Sequence, residues 1–250
     1  MSAALDEQLE RAAGALRRAS RAMAFTGAGI SVASGIPDFR SPGGLWSRYD
    51  PDEVATLQAL RTNPRGVWEF LLEAKDVFGK AEPNPAHKAL AKLSECGLLD
   101  EIVTQNIDGL HQAAGSPGVI EYHGGLRRFR CMSCAREHPP EEAAGLTLET
   151  IPWRCSCGGV VRPDIVFFGE GIPPDAARAA DEAVAAADFC LVVGASGEVQ
   201  PAGLIPSRIK AKGGVVVEVN LGPTSYDRVS DIRLDAPAQE VLPRLAELAC

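Results

Sequence analysis

Arg21-Ala-Met-Ala-Phe-Thr-Gly-Ala-Gly-Ile-Ser31 is the stretch whose reading decides the fold. Residues 21–26 form a short apolar run that reads as a buried strand and stops at glycines. Glycines directly after a strand let the backbone approach a diphosphate closely and turn N–H groups toward its charge. Gly27, Ala28 and Gly29 are therefore candidate cofactor contacts. The loop is not a full dinucleotide fingerprint. The third glycine would fall at Val32, and no acidic residue neatly ends a second strand about 20 residues on. Taken alone, the three residues suit a tight strand-to-helix turn as well as a cofactor cradle.

Working outward, residues 4–20 carry Leu5, Leu9, Ala12, Ala13 and Leu16 at helical spacing. Residues 85–95 read as a helix stopped by Gly97, and 99–104 as the next strand. Residues 164–168 are extended, 174–187 form an alanine-rich helix, and 189–193 an apolar strand. A helix over 201–212, a β-branched strand over 215–219 and a helix over 242–249 follow. Apolar strands alternating with helices predict a parallel sheet covered on both faces. The alternation breaks at 41–82, rich in Pro/Gly loops and helical pieces, and at 126–163. The expected fold is α/β: a Rossmann-like parallel-sheet domain (1–40, 83–125 and 164–250) with a smaller inserted lobe. That lobe would combine a loop and helical segment (41–82) with a zinc-binding module (126–163).

The 250 residues are 46% hydrophobic and 23% charged, an ordinary globular composition with no repeat or low-complexity tract. A net charge of −8 without basic clusters argues against a nucleic-acid binder. No apolar run is long enough for a bilayer, so no membrane partner is expected. The early acids Asp6, Glu7 and Glu10 count against a leader peptide, which points to the cytoplasm. Of seven cysteines, Cys96, Cys190 and Cys250 are scattered, and no disulfide framework is expected. The other four pair as Cys131-x-x-Cys134 and Cys155-x-Cys157. Four thiolates satisfy tetrahedral zinc in a closed, structural site. The second pair is one residue shorter than a usual knuckle, and Gly158 and Gly159 supply the flexibility it needs. His138 is the nearby substitute ligand.

Gly27-Ala-Gly-Ile-Ser-x-x-Ser-Gly-Ile-Pro-Asp-Phe-Arg-Ser41 resembles the opening motif of the sirtuin family. Further matches follow in order: Thr104-Gln-Asn-Ile-Asp-Gly-Leu-His111, His123-Gly124, the cysteines, Arg162-Pro-Asp-Ile-Val-Phe-Phe-Gly-Glu170, Gly194-Ala-Ser196 and Val219-Asn-Leu-Gly222. The resemblance covers roughly residues 10 to 245 and implies an NAD-dependent protein-lysine deacetylase with structural zinc. It makes His123 the general base, a task that suits an imidazole near operating pH. It assigns the ribose and a water to Asn106 and the nicotinamide carboxamide to Asp108, with Gln105 and Ile107 lining the same pocket. Asp38, Phe39 and Arg40 would lie on the loop that closes over NAD, where Phe39 shields the ribose and Arg40 serves the phosphates. His111 is read as structural. Gly194, Ser196, Asn220 and Gly222 would meet the adenosine half, and Ala195 departs from the threonine or serine of many relatives.

By the same resemblance, an acetylated-lysine peptide would add as a strand against Val166, Phe168, Gly169 and Glu170 on one side and Val199 on the other. Family members that remove succinyl groups carry Tyr-x-x-Arg after Trp-Glu-Phe. This chain reads Trp68-Glu-Phe70-Leu71-Leu-Glu-Ala74, so an acidic acyl group loses its bidentate partner. A neutral acyl group such as acetyl is expected. An NAD glycohydrolase or mono-ADP-ribosyltransferase would use the same pocket with another acceptor. A zinc-ribbon interaction module and a dehydrogenase fit the residues less well.

Overall fold

In the computed structural model, which describes residues 3–38 and 47–250, nine strands follow one another along the described chain. They are β1 (Ala22–Thr26), β2 (Glu101–Thr104), β3 (Val119–Glu121), β4 (Gly124–Cys131), β5 (Glu137–His138), β6 (Val161–Ile165), β7 (Phe189–Val193), β8 (Val215–Val219) and β9 (Ile232–Leu234). Six of them form a parallel sheet in the order β3-β2-β1-β7-β8-β9. Both faces of β1 and β7 are buried along their whole length, which is why they read as unbroken apolar runs. The strand order reverses between β1 and β7. In such sheets the crevice for a ligand opens at that point, beyond the C-terminal strand ends.

One face is covered by the helices Ala3–Arg18, Pro85–Glu95 and Ala238–Ala249, which share a core with Leu191, Val193 and Val217. The stripe expected of the first helix is the one it buries: Leu9, Ala12, Ala13 and Leu16. Asn84 starts the second helix by accepting from the Ala86 N–H at 2.8 Å, with Pro85 at the first position. Its Nδ2 donates to the Ile30 carbonyl at 2.7 Å, which ties that helix to the glycine loop. The other face is covered by Pro174–Ala186 and Ile205–Ala211. Among the described residues no helix is long and apolar enough to cross a membrane.

The second sheet is small and antiparallel, in the order β5-β4-β6. Its core joins Leu60, Val67, Trp68 and Leu71 of the helical segment to Phe129, Trp153 and Val161 of the cysteine region. Trp68 stacks on Phe129, packs edge-on against Trp153, and donates Nε1–H to the Val161 carbonyl at 2.9 Å. The two interruptions of the α/β pattern thus build one lobe. Some elements differ from expectation. β3 and β9 are three-residue strands too short to show periodicity. The extended stretch at 164–168 begins earlier, as β6, and pairs with β4 of the small sheet.

The scattered cysteines also correct the reading. Cys96, at the C-terminus of Pro85–Glu95, and Cys250, after the last helix, form a disulfide across 154 residues. The two helices pack side by side, a proximity that chain order does not reveal. Closing so long a loop in the unfolded chain is worth up to about 5 kcal/mol. Reduction, or Cys250→Ser, is expected to lower the melting temperature by several degrees without changing the fold, read by thermal denaturation with and without dithiothreitol. Superimposable melts would show that the bridge contributes nothing.

Candidate active site and metal centre

The glycine loop meets β7 main chain to main chain. The Gly27 N–H donates to the Val193 carbonyl at 3.1 Å and the Gly29 N–H to the Gly194 carbonyl at 2.9 Å. These two N–H groups are therefore not turned toward a diphosphate, as the sequence suggested. The glycines are needed for space. A Cβ on Gly27 would lie 2.8 Å from the Gly194 oxygen, and one on Gly29 2.7 Å from the Gly194 Cα. One on Gly194, itself at φ 61°, would lie 2.2 Å from the Ile30 nitrogen. Ala28 lies half-buried between the two glycines.

Beyond β2, Asn106 is buried. Its Nδ2 donates to the Gly27 carbonyl at 3.1 Å and to the Ser31 hydroxyl at 3.2 Å, leaving Oδ1 as its remaining acceptor. Asp108 accepts the Ser31 hydroxyl at 2.7 Å and the Leu110 N–H at 2.9 Å. Gln105 donates its N–H to the Thr26 carbonyl at 2.9 Å, and Ile107 is half-buried beside it. Behind them His87 reaches Ser31 at 3.4 Å, and His111 reaches Thr26 Oγ1 at 2.9 Å, with Thr26 donating on to Thr104. Burial pushes His87 down to about 4, against the pull of Asp108. Burial, and then His87, push His111 to about 3. Both rings are thus neutral struts.

His123 follows β3. Its Nδ1 lies 3.2 Å from the Gln105 carbonyl, which can only accept, so Nδ1 carries the hydrogen and Nε2 keeps its lone pair. Burial holds its pKa below the usual histidine value, the Gln105 contact opposing. Gly124 has φ 72°, and a Cβ there would lie 2.0 Å from the Asp164 oxygen. The turn that presents His123 thus needs glycine. Asp38 is half-buried at the end of the first described stretch, while Phe39 and Arg40 lie outside the described residues.

At the other side of the crevice, Gly194 donates its N–H to the Val219 carbonyl at 3.0 Å, and the Ser196 carbonyl accepts from Ser225 at 3.0 Å. Asn220 is buried and Gly222 has φ 68°. The Ala195 side chain packs into the core, away from any polar role. Along the expected peptide edge, the Val166 N–H bonds the His123 carbonyl at 2.9 Å. The Phe168 N–H and carbonyl are both used, on Ala55 at 2.9 Å and Leu57 at 3.0 Å. Phe168 therefore has its N–H committed, and its half-exposed ring and the second lone pair of its carbonyl remain to meet a peptide. The Glu170 carboxylate pairs with buried Arg162 and accepts the Phe167 N–H at 2.9 Å, while its own N–H bonds the Phe167 carbonyl. Gly169 has φ 86°, and Val199 is half-buried in the turn after β7.

The four sulfurs of Cys131, Cys134, Cys155 and Cys157 all lie within 4.8 Å of one another. Tetrahedral zinc with Zn–S bonds of about 2.3 Å requires S–S separations of about 3.8 Å. Cys131–Cys157 at 3.5 Å and Cys134–Cys155 at 3.8 Å fit. The short second pair closes because Gly158 adopts φ 86° and because Gly159 has no side chain: a Cβ there would lie 2.6 Å from the Cys131 sulfur. The Cys157 N–H, and then His138, draw the Cys155 thiol down to about 6, whereas, against the pull of the Gly159 N–H, the Cys131 and Cys134 sulfurs push Cys157 up to about 11. His138 holds Glu142 at 2.9 Å through Nδ1 and stands outside the four-sulfur set.

The Sir2 family model matches residues 27–201. The chain belongs to the Sir2 family. It is 46% identical to NAD-dependent protein deacylase 2 of Pyrobaculum aerophilum over 224 residues, 89% of this chain and 88% of the relative. A solved Sir2 enzyme superposes with TM-score 0.92 at 41% identity, covering 98% of each chain. A solved histidine-to-alanine variant of Sir2 with a deacetylated p53 peptide and 3′-O-acetyl ADP ribose superposes with TM-score 0.89 at 36% identity, covering 96% of this chain and 97% of that one.

Two residues of this Sir2 chain have roles that its sequence did not reveal. Ser31, inside the glycine motif, joins Asn106 to Asp108, and His87 backs Ser31 from a neighbouring helix. The only signal for His87 was a polar residue on the apolar face of a helix. Purified protein is expected to carry one zinc per chain by metal analysis. Cys155→Ser should lose it and change the fluorescence of Trp68 and Trp153, which share the lobe's core. A metal-free variant with an unchanged spectrum would show that the lobe holds without zinc.

Proposed function

We propose that this chain is an NAD-dependent protein-lysine deacetylase in which His123 and Asn106 carry the chemistry. It cleaves the nicotinamide–ribose bond and transfers the acetyl group from lysine to ADP-ribose, releasing nicotinamide, O-acetyl-ADP-ribose and free lysine. The observation that carries this reading is the pose of His123: Nδ1 is held by the Gln105 carbonyl, so Nε2 is free to take a proton. Asn106 and Asp108 stand on the same strand-end loop, in the crevice where the sheet order reverses. As the acetyl oxygen attacks the ribose, Asp108 holds the nicotinamide amide and Asn106 orients the ribose. His123 then removes a proton from a ribose hydroxyl, which attacks the acyl carbon; the lysine amine leaves and a water adds to the acyl carbon, so that the acetyl group ends as an ester on ADP-ribose. Gly27, Ala28, Gly29, Asp38, Gln105 and Ile107 surround the nicotinamide and phosphate half. Gly194, Ser196, Asn220 and Gly222 take the adenosine. The peptide lies between Val166, Phe168, Gly169 and Glu170 and the Val199 turn.

The relative's name and the peptide complex of the Sir2 variant support both cosubstrates. The division into a sheet domain (1–40, 83–125, 164–250), a cofactor loop with helical segment (41–82) and a zinc module (126–163) follows from this reading. So does a cytoplasmic location, where a four-thiol cluster stays reduced and able to hold a metal.

The test is nicotinamide release with and without an acetyl-lysine peptide, beside His123→Ala. Release should require peptide and fall by roughly 10²–10⁴-fold in the variant. Because burial depresses the His123 pKa, the base stays unprotonated until the pH drops below 6.5, so the acid limb of kcat/KM should lie under that value. Release without peptide would instead mark an NAD glycohydrolase or mono-ADP-ribosyltransferase.

Acyl preference follows from the helical lobe. Ala74 lines an apolar pocket with Ile36, Pro37, Phe70, Val77 and Phe78, and Leu71 is buried in the lobe core. The guanidinium on that pocket, Arg48, is paired with Glu73 at 2.6 Å. An acidic acyl group would meet a carboxylate already holding the cation. Succinyl-lysine peptide should be turned over at least about tenfold more slowly than acetyl-lysine peptide. Comparable rates on the two peptides would refute this assignment.

A further inference from the structure

Among the described residues Glu218 is the only carboxylate fully buried, at 0% exposure. It lies in β8, opposite Val192 of β7 and Arg233 of β9. Burying a carboxylate is unfavourable unless donors surround it. Its Oε1 accepts Asn220 Nδ2 at 2.9 Å and the Thr224 hydroxyl, and its Oε2 accepts the Ser230 hydroxyl at 2.9 Å. The Arg233 guanidinium stands 3.9 Å away. All three hydrogen-bond donors belong to the segment leaving β8. An apolar side chain would fill a central parallel strand with no desolvation penalty, so the acid calls for another explanation.

That explanation is the orientation of Asn220. A carboxylate and a main-chain carbonyl can only accept hydrogen bonds. Asn220 Nδ2 faces both kinds, Glu218 Oε1 at 2.9 Å and the Ala195 oxygen at 3.1 Å. Its two hydrogens are therefore both engaged, and the amide has one orientation. Oδ1 is left as the outward acceptor at the C-terminal end of β8, with a buried anion behind it.

We propose that Glu218 is a positioning residue that locks Asn220 as an acceptor for a hydroxyl of the adenosine ribose and thereby selects NAD over its ribose-phosphorylated counterpart. This rests on the reading of Asn220 as an adenosine contact. A ribose hydroxyl donates to Oδ1. A phosphate ester at that position has no hydroxyl to give and brings further negative charge toward Glu218. Dinucleotide folds commonly read the ribose with an acid at the end of the strand after the glycine loop. Here that strand, β2, ends in Thr104, and the buried acid stands in β8 instead.

Steady-state deacetylation by the full chain would be measured with NAD and with NADP for wild type, Glu218→Gln and Asn220→Ala. In Glu218→Gln the amide can donate, which frees Asn220 to flip. Wild type should prefer NAD by on the order of 100-fold in kcat/KM. Glu218→Gln should raise the KM for NAD about tenfold, leave kcat within about twofold and narrow the NAD preference about tenfold. Equal losses with both nucleotides, leaving the preference unchanged, would reveal a merely structural role and overturn the proposal. A wild-type-like Glu218→Gln beside a raised KM in Asn220→Ala would overturn it too. An unchanged NAD KM in Asn220→Ala would remove the cofactor reading beneath it. If Glu218→Gln does not fold, wild type decides. NAD analogues lacking the 2′- or the 3′-hydroxyl of the adenosine ribose should include one bound about tenfold more weakly. Equal affinities for NAD and both analogues would overturn the proposal.

Discussion

Gly29 and Gly194 approach so closely that a methyl group on either would overlap the main chain of the other loop. This contact brings the ends of β1 and β7 together at the reversal of the sheet, and the rest of the site is hung from it. The loop after β1 runs into the 3-10 turn that carries Ser31, and Ser31 holds Asn106 and Asp108 from the end of β2. The Gly27 carbonyl accepts from Asn106, so the same loop that packs against β7 also aims a catalytic candidate. A larger residue at 27, 29 or 194 would push β1 away from β7 as well as disturb a turn.

The site shows one device twice. On each side of the crevice an asparagine commits its Nδ2 hydrogens to fixed acceptors: Gly27 and Ser31 for Asn106, Ala195 and Glu218 for Asn220. Each is left with an oriented Oδ1. Groups held by protein acceptors do not have to reorganise when substrate arrives. The neutral, buried His87 and His111 do similar work behind Asn106 and Asp108, filling a polar layer without adding charge. His123 differs because one ring nitrogen is tied and the other is left to react.

The small lobe depends on a different constraint. Its aromatic core spans the helical segment and the cysteine region, so the thiols cannot be displaced without disturbing Trp68, Phe129 and Trp153. The shorter spacing in the second cysteine pair is absorbed locally by Gly158 and Gly159, and the four sulfurs still converge.

Much of this was legible in order along the chain. Apolar runs at Ala22–Thr26, Phe189–Val193 and Val215–Val219, punctuated by glycine, determine a parallel sheet because strands buried on both faces cannot alternate. Ordered motifs around Gly27, Asn106 and His123 determine the family, and four cysteines determine a metal site. Local spacing carries such signals because each depends on neighbours in sequence. What only the tertiary structure decided depends on partners far apart in the chain. The glycine N–H groups bond to β7 rather than being offered to phosphate, and Phe168 has already given its N–H to Ala55. Cys96 meets Cys250, His87 reaches Ser31, and a carboxylate in β8 orients an asparagine two residues on. A hydrogen-bonding group has the same sequence letter whether its partner is water, substrate or a distant strand, and folding alone makes that choice.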